Sequence, residues 1–184
     1  EVSVGMLSRL SVELVLVGHS ERRQFFGMTD ELVASTASAV LGGGLTAIIC
    51  VGESAEQRAD GETTTVLTHQ VEMALAGVAS GAEDRVLFAY EPIWAIGTGV
   101  AATEVDAQMA CAHIRSVIAL ERTEAIASTM RILYGGSAKP DNAGDLVGQP
   151  DVDGLLVGGA SLDAESFAAM IEAVSACYGS PAGK

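Results

Sequence analysis

The stretch "RVLFAYEPIWAIGTG", Arg85 to Gly99, decides how the rest of the chain is read. Val86 to Tyr90 is an unbroken apolar run with no polar alternation. Such a run fits a strand covered on both faces, as in a parallel sheet. A carboxylate, Glu91, ends it. Pro92 then fixes the backbone, Trp94 supplies a large apolar body, and Gly97 and Gly99 admit conformations closed to other residues. Two readings of Glu91 stand side by side. It is a polar residue where a strand leaves the core, or a catalytic base with a hinged lid behind it. A carboxylate base profits from a lid, because excluding water raises its basicity.

Similar apolar runs recur on both sides of this stretch. They are "LVLVG" (14–18), "LTAIICVG" (45–52), "MRILYGGS" (130–137) and "VDGLLVGG" (152–159). Helical patterns separate them: "DELVASTASAVLGGG" (30–44), "TTTVLTHQVEMALAGVASG" (63–81), "TEVDAQMACAHIRSVIALE" (103–121), "DNAGDLVGQ" (141–149) and "LDAESFAAMIEAVSACYG" (162–179). Gly81 is read as the stop of the second helix. Val105, Met109, Ala112, Ile114 and Val117 are read as the buried stripe of the third. About five strands alternating with helices predict an α/β fold with a parallel sheet. No low-complexity linker divides residues 1–184, so one domain is expected. An open doubly wound sheet and part of a (β/α)8 barrel both fit. No G-x-G-x-x-G follows the first strand, which favours the barrel.

Composition narrows the function. Hydrophobic residues make up 49% and charged residues 18%, the balance of a globular chain. The formal net charge of -14 argues against nucleic acid or an anionic membrane as partner. No apolar run is long enough for a membrane span, and the opening "EVSVGMLSRL" does not read as an export signal. Cys50, Cys111 and Cys177 form no metal-spaced pair and suit a reducing cytoplasm. His19, His69 and His113 are equally scattered, and no metal site is expected.

Polar groups gather at the strand ends: "GHSERR", "CVGE", "YEPIW", "YGGS" and "VGGAS". In a parallel α/β fold these ends share one face, where sites are built from several loops. His19 follows a strand-end glycine. It is either a structural histidine or a neutral hydrogen-bond donor near a helix start. Glu21, Arg22 and Arg23 read as a surface charge cluster. Gly135-Gly136 before Ser137, and Gly158-Gly159 before Ala160-Ser161, serve tight turns or offer bare N–H groups to a phosphate.

Five motifs carry a resemblance: "GHSERR" (18–23), "ICVGE" (49–53), "AYEPIWAIGTG" (89–99), "LYGGS" (133–137) and "LLVGGASL" (155–162). In this order and spacing the chain resembles the triosephosphate isomerase family, whose members interconvert glyceraldehyde 3-phosphate and dihydroxyacetone phosphate. The resemblance implies that Glu91 is the base. It implies that His19 is the neutral electrophile that polarises the carbonyl. Gly97, Ser137, Gly158 and Gly159 would grip the phosphate. Pro92, Ile93, Trp94, Ala95, Ile96, Thr98 and Gly99 would form the lid, with Val100 to Ala102 as its second hinge and Tyr134 as its latch. No cofactor is implied.

The match also departs from the family pattern. The family's first three strands find no counterpart, nor does its first-strand Asn-x-Lys motif. Only Lys139 and Lys184 are present, and Lys139 is placed on the surface. Glu21 resembles the family carboxylate that pairs with the first-strand lysine. About five strands cannot close a barrel. The sheet is therefore expected to be incomplete and to be completed or covered by association, through identical chains or a separate N-terminal fragment. The alternative function is a non-catalytic oligomeric remnant that at most binds anions.

Overall fold

The computed structural model describes residues 1–95 and 102–178. Ile96, Gly97, Thr98, Gly99, Val100 and Ala101 lie outside the described residues.

Five strands form one sheet: β1 (Leu14–Val17), β2 (Thr46–Val51), β3 (Val86–Tyr90), β4 (Ile132–Tyr134) and β5 (Gly154–Leu155). Their order in space is their order in sequence, and every pair is parallel. The register aligns Val17 with Ile49, Val51 with Tyr90, and Tyr90 with Tyr134, so the C-terminal ends form one rim. The expected α/β architecture holds. Among the described residues, β1 pairs only with β2 and β5 only with β4, and the barrel is not closed.

The helices are α1 (Val4–Arg9), α2 (Ser20–Phe26), α3 (Asp30–Gly42), α4 (Ala55–Ala59), α5 (Thr63–Ala76), α6 (Glu104–Glu121), α7 (Glu124–Thr129), α8 (Ala143–Val147) and α9 (Ala164–Tyr178). Local chemistry sets several of their starts. Thr29 accepts from the Leu32 N–H before α3, and Thr123 from the Ile126 N–H before α7. Ser54 with Gln57, and Thr103 with Asp106, close reciprocal capping boxes at α4 and α6.

The period of two along each strand sorts the side chains into two layers. Val17, Ile49, Val51, Phe88, Tyr90 and Ile132 face the helices and pack with Val33, Leu67, Val71, Ile114 and Ile118. Ile48, Cys50 and Ala89 form a smaller cluster with Leu87, Leu133 and Leu156 on the concave face. An unclosed barrel would leave that face open to water. Instead Ile48, Cys50 and Ala89 are buried at its centre, shielded by adjacent strands, while Leu14 and Leu16 on β1 are each 49% exposed.

Two sequence expectations are corrected. Helix α5 ends at Ala76 with Gly77 as its cap, and Gly81 lies beyond it in the turn toward β3. Gly77 is where α5 crosses α3, since a Cβ there would strike the Ala34 carbonyl. The buried stripe of α6 is Ala107, Ala110, Cys111, Ile114, Val117 and Ile118, while Val105 and Met109 are exposed. Small residues face inward because α6 packs against α5, α7 and β4 together.

Candidate active site

Glu91 leaves β3 with its backbone still in the sheet, its N–H donating to the Val51 carbonyl at 2.8 Å. The residue is only 2% exposed. Oε2 accepts from the Ser20 N–H at 2.8 Å, and Oε1 lies 3.0 Å from His19 Nε2. Burial pushes its pKa above the usual 4.5, opposed by His19, the Ser20 N–H and Arg23. Gly52 at the end of β2 permits this approach, because a Cβ there would fall on the Glu91 carbonyl.

His19 is held just as closely. Gly18, with φ of 77°, turns the chain out of β1 and leaves His19 as the N-cap of α2. Nδ1 accepts from the Glu21 N–H at 3.3 Å. An accepting Nδ1 carries no proton, so the ring proton sits on Nε2, facing Glu91. The structure thus brings His19 and Glu91, 72 positions apart in sequence, into direct contact.

Arg23 is a correction. It was assigned to a surface cluster, but its side chain is 15% exposed. Its guanidinium donates to the Gly18 carbonyl at 2.7 Å, the Cys50 carbonyl at 3.2 Å and Asp30 at 2.6 Å. It ties the ends of β1 and β2 to the first turn of α3. Arg22 does remain outside, pairing with Glu1 at 2.6 Å.

A second buried carboxylate, unassigned by sequence reading, sits one strand away. Glu53 is fully buried. Its Oε1 accepts from Tyr90 Oη at 3.1 Å and from Trp94 Nε1 at 2.8 Å, and Arg58 approaches to 3.5 Å. Arg58 also stacks 4.0 Å above the Trp94 ring and pairs with Asp106 at 2.6 Å. Pro92 leads into a tight turn over Ile93–Ala95, closed by the Ala95 N–H on the Pro92 carbonyl at 2.8 Å. The signal for this cluster was the carboxylate in "CVGE", but its partner Trp94 lies 41 positions away.

The open face of His19 and Glu91 looks into a cavity of about 970 Å³. Ser137, Gly158 and Gly159 line the same cavity, as does Lys139. Among the described residues the N–H groups of Ser137, Gly158 and Gly159 meet no acceptor. Asn142 Nδ2 donates to the Ser137 carbonyl at 3.2 Å, and Ser161 holds the Gly158 carbonyl at 2.7 Å, so both loops are fixed. Tyr134 was expected as a lid latch. Its ring is fully buried, and its hydroxyl has no hydrogen-bond partner among the described residues. Gly97, Ile96, Thr98 and Gly99 lie outside the described residues. No group of three metal-ligating side chains is clustered, and no helix is long and apolar enough to cross a membrane, among the described residues.

Comparison with known proteins is consistent with this geometry. A model of the triosephosphate isomerase family matches residues 1–174. The triosephosphate isomerase of Pelobacter propionicus is 53% identical over 171 residues, 93% of this chain and 68% of that protein. That of Geobacter metallireducens is 51% identical over the same coverage. That of Xanthomonas oryzae pv. oryzae is 52% identical over 177 residues, 96% of this chain and 70% of its own length. With a match across nearly its whole length and half its residues shared, this chain belongs to the triosephosphate isomerase family.

Proposed function

We infer that this chain interconverts glyceraldehyde 3-phosphate and dihydroxyacetone phosphate, acting as an intramolecular aldose–ketose isomerase. The observation that carries the reading is the His19–Glu91 pair at the mouth of a cavity edged by unpaired N–H groups. Glu91 takes the proton from the carbon beside the carbonyl and returns it to the neighbouring carbon. Its raised pKa suits that exchange, because a stronger base removes a weakly acidic proton more readily. Both carboxylate oxygens are engaged here, so Glu91 must release the Ser20 N–H to reach substrate. The Nε2–H of His19 polarises the substrate carbonyl and shuttles protons between the two oxygens. The free N–H groups of Ser137, Gly158 and Gly159 hold the phosphate, with Gly97 in the same role. Pro92 to Gly99 close over the site and keep water from the enediolate, whose phosphate would otherwise be lost.

One domain carries this whole site, with no cofactor in its chemistry. The three cysteines are unpaired, which supports a reducing cytoplasm, and the family match supports a place in glycolysis. The exposed Leu14 and Leu16 on the concave face support self-association, or cover by an N-terminal fragment. A monodisperse monomer in sedimentation would count against both. The function itself is tested by a coupled assay with glyceraldehyde 3-phosphate on wild type and Glu91→Gln. Turnover in the first and its collapse in the second are expected. Equal rates would remove Glu91 from the role of base.

A further inference from the structure

The cavity holding His19 and Glu91 presents an electrostatic problem to a phosphorylated substrate. Its charged walls are Glu21, Glu91, Asp141 and Lys139. Three of these four are carboxylates, in a chain whose formal net charge is -14. Neutral N–H groups at Ser137, Gly158 and Gly159 supply dipoles but no compensating charge. Among the described lining residues, Lys139 alone carries a permanent positive charge.

Lys139 is also placed and free to act. Its backbone is pinned: its N–H donates to Asn142 Oδ1 at 2.7 Å, and its carbonyl accepts from Ala143 N–H at 2.9 Å. Asn142 in turn holds the Ser137 carbonyl, so Lys139 has a fixed origin two residues from the expected phosphate contact. The side chain is exposed, and among the described residues its ammonium makes no ion pair. A flexible four-carbon stem with three donors can turn toward an anion in the cavity that Lys139 lines.

We propose that Lys139 is a phosphate-binding residue of this site, pairing its ammonium with the substrate's phosphate dianion at the loop after β4. This rests on the isomerase reading for the identity of the substrate, but not for the anion contact. Lys139 acts on the phosphate and leaves the proton transfers to Glu91 and His19.

The test compares Lys139→Gln, Lys139→Arg and Arg131→Gln with wild type. Arg131 is exposed on a cleft at the opposite ends of the strands, and losing it changes net charge equally. Two quantities are read across a salt series: KM for glyceraldehyde 3-phosphate, and the dissociation constant of inorganic phosphate by calorimetry without substrate. We expect Lys139→Gln to raise both by roughly threefold at low salt, the scale of one solvent-screened ion pair. The difference should shrink as salt rises. Lys139→Arg should restore most of the loss, and Arg131→Gln should match wild type. A rise in the phosphate constant alone would assign Lys139 to free phosphate and overturn its role toward substrate. No change in either quantity, or an equal change in Arg131→Gln, would overturn the proposal. If wild type binds phosphate through Lys139 but turns nothing over, the isomerase reading fails and the anion contact stands.

Discussion

Two buried carboxylates stand at adjacent strand ends, and their surroundings separate them. Glu91 is 2% exposed and Glu53 fully buried, so burial does not distinguish them. Glu53 is enclosed by Tyr90, Trp94 and Arg58, which approach one of its oxygens. Glu91 is held by a backbone N–H and a histidine, and it borders a cavity. The first arrangement fixes a turn. The second leaves a carboxylate with few partners beside a cavity, as the proposed base requires. Reactivity here comes from access and replaceable partners.

Substitutions at the two sites should therefore act on different observables. The largest effect is expected from Glu91→Gln, which should lower turnover by about 10³-fold. Its unfolding midpoint should hold or rise, because the cost of burying the charge is removed. The opposite pattern, stable turnover with lost stability, would break the contrast. Glu53→Ala removes the oxygen to which the Tyr90 hydroxyl and the Trp94 indole donate, while Arg58 keeps its pair with Asp106, and should cost about 2 kcal/mol in urea unfolding. Turnover should fall less than in Glu91→Gln.

Gly52→Ala tests the spacing between the two sites. The added methyl meets the Glu91 carbonyl, and overpacking of this kind costs about 1–3 kcal/mol. A drop in turnover larger than the stability change explains would show that the position of Glu91 matters beyond its charge.

pH sharpens the same contrast. The raised pKa of Glu91 places the acid limb of kcat/KM above 4.5. A raised carboxyl stabilises the fold while protonated in both states, below 4.5, and loses that contribution as pH climbs through its native pKa. Stability of Glu91→Gln should lack this decline, which paired unfolding series at several pH values would reveal.

The smallest effect is expected at Tyr134. Its hydroxyl is buried without a partner among the described residues, so Tyr134→Phe should be neutral or stabilise by about 1 kcal/mol. A fall in turnover at unchanged stability would instead favour the latch role.

Much of this was legible in the chain itself. Apolar runs ending in glycine or a carboxylate marked every strand, because a strand covered on both faces leaves polar residues only at its ends. Glu91, His19, Ser137 and the Gly158-Gly159 pair stand out this way as candidates, and all of them line one cavity. Other features depended on contacts that spacing does not encode. Arg23 has the same neighbours in sequence as any exposed arginine, but its Cys50 partner is 27 residues away. The first half of the inward face of α6 is built from Ala107, Ala110 and Cys111, since close helix packing favours small side chains where sequence reading weights large ones. The Glu53 cluster needed the turn after β3 to bring Trp94 back over β2.

The sequential order of the strands bears on how the protein is made. Each strand pairs with the one laid down just before it, so every new sheet contact closes a loop of only one β/α unit. Loops of that size carry a modest closure entropy, and a chain leaving the ribosome from its N-terminus can add each strand to an edge already formed. His19 and Glu91 can therefore meet once β3 is in place, before β4 and β5 are made. The loops bearing Ser137 and Gly158-Gly159 arrive last. A nascent chain would hold the proposed acid–base pair before it held the loops proposed to grip the phosphate, so the two halves of the site would form in separate steps.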